Sequence, residues 1–205
     1  MRILIASPHL DDEVLGCASM LDGAHVAYTT RTHPEFRDVY EEHLAFRAEV
    51  NGVSLFPDDF DGLHFDRINE LDQLGQSVLI AYFERVVRHV MPDLVAVPAP
   101  SYNQDHRAVY DAMLTACRPH DRNWFVKKVV VYEEPETFGA LRMPPFWPTY
   151  FRPLDVDRKL ALYHLYASQV RGHRSDEHIR AIAAVRGMQV NVPYAEGFEV
   201  LRWVE

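Results

Sequence analysis

The chain alternates short, continuously apolar runs with longer stretches in which apolar residues recur every three or four positions. Residues 2–7 (RILIAS) form the first run, closed by Pro8, and predict a buried strand. Residues 12–21 follow, with Val14, Leu15, Ala18 and Leu21 on one face of a short amphipathic helix. The pattern repeats as a strand at 25–30 (HVAYTT) and a helix at 35–50 stopped by Asn51-Gly52. A helix at 74–90 ends before Pro92; a strand at 94–97, a helix at 105–117 and a strand at 126–133 (VKKVVVYE) come next. Further on, 156–169 and 177–185 read as helices and 198–204 as a closing strand. Pro144-Pro145-Phe146-Trp147-Pro148 forms an aromatic surface excursion before them. Strands alternating with helices imply a parallel sheet with helices on both faces. No repeat, low-complexity tract or break in composition divides the chain.

Composition narrows the class. The 205 residues are enough for one substantial core, and 48% hydrophobic with 25% charged residues is ordinary for a globular domain. A formal net charge of -9 without a run of Lys or Arg argues against nucleic acid or an anionic membrane as the main partner. Met1-Arg2 leads straight into a strand-like run, so no cleavable leader is expected, and no stretch approaches the roughly 20 apolar residues of a membrane span. Cys17 and Cys117 stand far apart and suit a reducing compartment, with the cytoplasm as the expected location.

The stretch SPHLDDEVLG, from Ser7 to Gly16, places His9, Asp11, Asp12 and Glu13 where the first strand gives way to its helix. In open parallel sheets ligands collect beyond the carboxyl ends of the strands. A helix N-terminus offsets clustered carboxylates by only about 0.3–1 kcal/mol per charge, so a divalent cation is the stronger neutraliser. His9 and Asp12 are three residues apart and can reach one metal; a nitrogen and oxygen ligand set suits zinc, which lowers the pKa of bound water toward about 7. Asp11 projects differently from Asp12 and can take the water's proton. After the strand at 94–97, the segment PAPSYNQDHRAVYDA repeats the arrangement, with Asp105 and His106 opening the next helix. Neither the first nor the third strand–helix loop carries the glycines of a nicotinamide or P-loop site.

PHLDDEVLGC resembles the PHPDDE motif of the LmbE-like, PIG-L family of zinc-dependent de-N-acetylases, and Asp105-His106-Arg107 resembles the latter part of that family's HPDH motif. DRKLALYHLYASQ is similar to the family's helix ending in Ser-Gln, and YAEGFEVLR to its closing segment, so the likeness runs from Arg2 to Arg202. The resemblance implies an α/β fold: a single-domain, Rossmann-like three-layer sandwich with a mostly parallel sheet over residues 1–205. It implies that His9, Asp12 and His106 bind zinc, with iron as the alternative metal, that Asp11 is the general base, and that Asp105 orients or polarises a neighbour. The implied reaction removes the acetyl group from an N-acetylated amino sugar or its conjugate. An amidase for another acylamide, such as a thiol conjugate, and a non-catalytic sugar- or nucleotide-binding relative are the alternatives; homo-oligomerisation is left open.

The chain departs from the family pattern at Leu10 (usually proline), at Ala18-Ser19 (usually glycines) and at Asn103, which takes the place of the first HPDH histidine. Asn103 can donate a hydrogen bond to an oxyanion but cannot be an acid at pH 7; a turn residue is the equal alternative. Tyr102, His173 and His64 are the other candidate proton donors. Arg37 is either a substrate contact or part of a solvated helix face. Glu13 reads as a supporting first-turn carboxylate, Asp58-Asp59-Phe60-Asp61-Gly62 as an Asp-rich turn, and Cys17 as core. Tyr194 and Glu196 read as fastening the tail, and Phe146-Trp147 as a plug or a sugar platform.

Overall fold

A computed structural model describes residues 1–29, 37–60, 70–138 and 145–205, with Arg37 described only as backbone. The apolar runs form β1 (Ile3–Ser7), β2 (His25–Tyr28), β4 (Leu94–Pro98) and β5 (Lys128–Tyr132). The periodic stretches form α1 (Asp12–Cys17), α2 (Arg37–Glu49), α3 (Gln76–Val90), α4 (Gln104–Ala116), α5 (Val156–Tyr163) and α6 (Asp176–Met188). Together with β3 (Val53–Leu55), β6 (Tyr150–Pro153) and β7 (Ala195–Trp203), the strands make one seven-stranded sheet in the order β3-β2-β1-β4-β5-β7-β6. The first five are parallel, β7 runs antiparallel to β5, and β6 antiparallel to β7.

Strand alternation assigns the two faces. Leu4, Ala6, Val95, Val97, Val129 and Val131 pack against Phe83, Val86 and Val87 of α3 and Val109 and Met113 of α4. Their neighbours Ile5, Ala96, Val130 and Tyr132 point the other way, into a core with Leu15, Phe46, Leu160, Tyr163 and Ile179. This is the three-layer arrangement expected from the sequence. Local signals set the helix ends: α3 stops at Met91 in a left-handed conformation (φ 49°) before Pro92, and Asn103, Asp155 and Ser175 cap α4, α5 and α6 through their side-chain oxygens.

Several expected boundaries shift. The helix expected at 12–21 ends at Cys17 and continues as a 3-10 turn, Ala18–Met20, because the Glu196 carboxylate accepts the backbone N–H groups of Ala18 (3.0 Å) and Ser19 (2.8 Å). Glu196 also pairs with buried Lys159 at 2.8 Å, whose ammonium donates to the Leu15 carbonyl (2.6 Å), so the tail strand is fastened under α1 as expected of Glu196. The helix expected at 156–169 breaks after Tyr163, whose hydroxyl donates to the Gln169 carbonyl at 2.7 Å. The edge strands β3 and β6 were not anticipated, being three and four residues long without a continuous apolar run. Gly16 is glycine because any Cβ there would run into the Tyr132 ring. Both cysteines are buried and free, and no helix among the described residues is long and apolar enough to cross a membrane.

Candidate metal centre

The order of strands reverses between β1 and β4, the switch point at which open α/β sheets gather ligands. The loops leaving these two strands face each other there. Ser7 begins the first by donating its hydroxyl to the His9 carbonyl at 2.7 Å. Asp12, fully buried in the first turn of α1, folds back: its Oδ2 accepts the His9 backbone N–H at 2.8 Å and lies 3.1 Å from His9 Nδ1. From the second loop, the Asn103 cap accepts the Asp105 N–H at 2.9 Å and fixes the first turn of α4. That turn carries His106 into the crevice, with Nε2 3.4 Å from Asp12 Oδ2 and its ring 5.3 Å from that of His9.

His9, Asp12 and His106 each bring one ligand atom within 4.8 Å of the others. The buried atoms Asp12 Oδ1, His106 Nδ1 and His106 Nε2 have no hydrogen-bond partner among the described residues. Buried polar atoms are almost always satisfied, and leaving one bare costs about 1–3 kcal/mol. Two imidazole nitrogens and a carboxylate oxygen are a donor set for zinc or another borderline divalent ion, with a coordination position left for water or substrate. The residues fit a metal.

Around this trio the carboxylates are held individually. Asp105 places Oδ2 3.1 Å from His9 Nε2 and accepts the Leu71 N–H on Oδ1 at 2.9 Å, so it orients His9 from behind. Asp11 is buried and paired with Arg174 at 2.7 Å. Glu13 turns away: Tyr166 donates to it at 2.8 Å, the Ser7 hydroxyl oxygen lies 3.2 Å from it, and Tyr166 in turn meets buried His43 at 2.8 Å. The expected supporting role of Glu13 is thus a tie between α1 and α2.

The charges follow from burial and these pairings. Burial opposes a charged His9, but Asp12 and Asp105 outweigh it and push the imidazole up to about 10. Asp12 is driven upward by burial, yet His106 and His9 hold it well below the usual carboxylate range. Burial and the Asp12 charge lift Asp11 to about 6 against the pull of Arg174 and His9. Burial lowers His106, and burial raises Glu13 to about 8 against the Tyr166 hydrogen bond.

Of the other expected residues, Asn103 spends its side-chain oxygen on capping α4. Tyr102 and His173 are exposed, while Arg174, next to His173, is the residue that reaches the site. His64 lies outside the described residues, and so does the side chain of Arg37, which opens α2. In the Asp-rich segment, Asp59 accepts the Phe56 N–H at 2.7 Å in a short 3-10 turn; Asp61 and Gly62 lie outside the described residues. Phe146 packs on the core beneath Arg186, as a plug would, and Trp147 is exposed. Sequence reasoning missed Arg174, Glu134 and Glu136. The two glutamates follow β5, the next parallel strand beside β4, so the strand-end rule that found the first two loops also pointed here.

No protein-family profile matches the chain, and no curated protein sequence matches it. Solved structures do. GalB, the 4-carboxy-2-hydroxymuconate hydratase from Pseudomonas putida KT2440, superposes with a TM-score of 0.73 at 19% identity over 100% of this chain and 98% of its own. The N,N'-diacetylchitobiose deacetylase from Pyrococcus horikoshii gives 0.74 at 17% identity, over 98% and 84% of the two chains. A deacetylase of the teicoplanin biosynthesis pathway gives 0.66 at 21% identity, over 98% of each. The chain has their fold. The resemblance read from the sequence holds at that level, since deacetylases stand among the structures sharing this full-length architecture.

Proposed function

We propose that the chain is a metal-dependent amidohydrolase of the LmbE-like, PIG-L kind, one deacetylase domain over residues 1–205, which converts an N-acetylated amino sugar or its conjugate to acetate and free amine. The observation that carries this reading is the convergence of His9, Asp12 and His106, with buried atoms of the last two unpartnered among the described residues, beside a carboxylate, Asp11, that stands outside this trio and is held by Arg174. His9, Asp12 and His106 would hold the ion, zinc or iron. A zinc ion bound there supplies Lewis acidity toward an amide carbonyl and lowers the pKa of water.

The protein's own groups do the rest. Asp11 accepts the proton of the attacking water on its carboxylate, with Arg174 fixing the carboxylate's direction. The same carboxyl, once protonated, is the group that delivers the proton to the departing amine nitrogen. Asn103 cannot supply that proton; its part is to cap α4 and so set Asp105 and His106 in place, with a hydrogen bond to the oxyanion as its direct contribution. Asp105 keeps His9 oriented. Arg37, entering α2 beyond β2, is assigned to the substrate's polar groups.

The test is an assay of acetate and amine release from a panel of N-acetylglucosamine conjugates by zinc-loaded protein, with Asp11→Asn in parallel. Release by wild type and a loss of about 10²–10⁴-fold in the variant are expected, the usual range for a general acid–base. Undiminished release by the variant contradicts the role of Asp11. Amine release only from a different acylamide added to the panel, with no acetate from the N-acetyl conjugates, would make the chain an amidase for another acylamide. Sugar binding without turnover would make it a non-catalytic relative, the alternative that Asn103 keeps open.

A further inference from the structure

We propose that Glu134 is a positioning residue for His106, accepting the Nδ1–H of the imidazole whose Nε2 faces Asp12. This rests on the metal reading above. A neutral imidazole that gives Nε2 to a metal ion carries its proton on Nδ1, and a buried N–H needs an acceptor. The nitrogen is buried and has no hydrogen-bond partner among the described residues. Two carboxylates lie near it: Glu134 Oε2 at 3.4 Å and Glu136 Oε1 at 3.7 Å. Glu136 is already engaged, taking the Ser101 hydroxyl at 2.6 Å and facing Arg174 at 3.5 Å. Glu134 is buried, and neither of its oxygens has a hydrogen-bond partner among the described residues. Bringing Oε2 to the usual N–H···O length of about 2.9 Å takes a shift of about half an ångström.

The other histidine shows the completed form of the same device. Asp105 Oδ2 stands 3.1 Å from His9 Nε2, behind the nitrogen that faces Asp12, and Asp105 is itself held by the Leu71 N–H. Glu134 is anchored comparably through its backbone. Its N–H donates to the Thr137 hydroxyl at 3.0 Å, and its carbonyl accepts from that hydroxyl (2.8 Å) and from the Thr137 N–H (2.9 Å). Each metal-facing imidazole thus has a carboxylate behind it, one from the loop after β4 and one from the loop after β5. Such partners fix the ring and raise its basicity toward the metal.

His106, Glu134 and Glu136 also form a trio whose ligand atoms lie within 4.8 Å of one another, so the experiment must separate a positioning carboxylate from a ligand. Zinc dissociation constants are measured by competition with a chromophoric chelator for wild type, Glu134→Ala, Glu134→Gln, Glu136→Ala and His106→Ala, with melts of the metal-free proteins as the check on folding. Glu134→Ala is expected to weaken zinc 10- to 100-fold while still binding one ion at saturation. Glu134→Gln, which keeps an oxygen acceptor, recovers part of the loss, and Glu136→Ala stays within threefold of wild type. Wild-type affinity in Glu134→Ala, a loss carried by Glu136→Ala instead, or a folded Glu134→Gln with no zinc at all would each overturn the proposal. If Glu134→Ala does not fold, Glu134→Gln decides alone: weakening beyond threefold supports the assignment and wild-type affinity overturns it. Wild-type zinc affinity in His106→Ala would instead strike at the metal reading itself.

Discussion

Glu133 and Glu134 are adjacent, both buried, and have opposite fates. Glu133 grips the guanidinium of Arg186 at 2.6 and 2.8 Å, and that guanidinium also lies 5.1 Å from the centre of the Phe138 ring. Glu134 accepts nothing on either oxygen from the described residues and points at His106. Burial raises the pKa of both carboxyls; Arg186 opposes the rise at Glu133, whereas Asp12 and Glu136 add to it at Glu134. A satisfied buried charge ties elements of the fold together, here β5 to α6. A buried carboxyl without such a cation, 3.4 Å from His106 Nδ1, is placed to serve that imidazole instead. The two histidines His43 and His106 make the same contrast: His43 is bonded to Tyr166 at 2.8 Å and faces Ser54 at 3.4 Å, while neither nitrogen of His106 has a hydrogen-bond partner among the described residues.

The contrast can be broken by substitution. Arg186→Met leaves Glu133 buried without its cation, and the expected loss is about 3–5 kcal/mol in urea unfolding, with zinc affinity of the folded protein unchanged. A stability loss below about 1 kcal/mol would show that the pair does not tie α6 to the sheet.

The histidine contrast has a pH signature. Burial and the Arg47 charge lower His43 to about 4, against 6.5 for the free side chain. Between pH 6.5 and pH 4 the unfolded chain therefore binds a proton that the folded chain refuses, and stability falls as the pH falls. The loss approaches roughly 3 kcal/mol at the lower end. His43→Asn should remove that share of the slope in unfolding midpoints measured from pH 7 to pH 4; an unaltered slope would place the acid sensitivity elsewhere. The smallest effect belongs to Glu134→Gln, whose metal-free stability should stay within about 1 kcal/mol of wild type, because it exchanges one buried polar group without a hydrogen-bond partner among the described residues for another of the same size.

Much of this was legible in the sequence, for physical reasons that differ from element to element. The apolar runs at Ile3–Ser7 and Leu94–Pro98 can be little other than buried parallel strands, and once they are placed the strand-end rule puts His9, Asp12 and His106 in one crevice. The edge strands Val53–Leu55 and Tyr150–Pro153 gave no signal, being too short and too lightly buried to show a period. Arg174 was hidden because its partner Asp11 lies 163 residues away, a distance no local pattern encodes. Asn103 was legible as a departure from the family motif, and its cap on α4 shows what the residue does locally.

The central claim is that His9, Asp12 and His106 together hold one metal ion. Crystals of the zinc-loaded protein, measured on both sides of the zinc absorption edge, test it most directly. The expected result is one anomalous peak bounded by His9, Asp12 and His106 at ordinary zinc–ligand distances of about 2.0–2.2 Å. No peak there, or a peak bounded by His106, Glu134 and Glu136 instead, would contradict it.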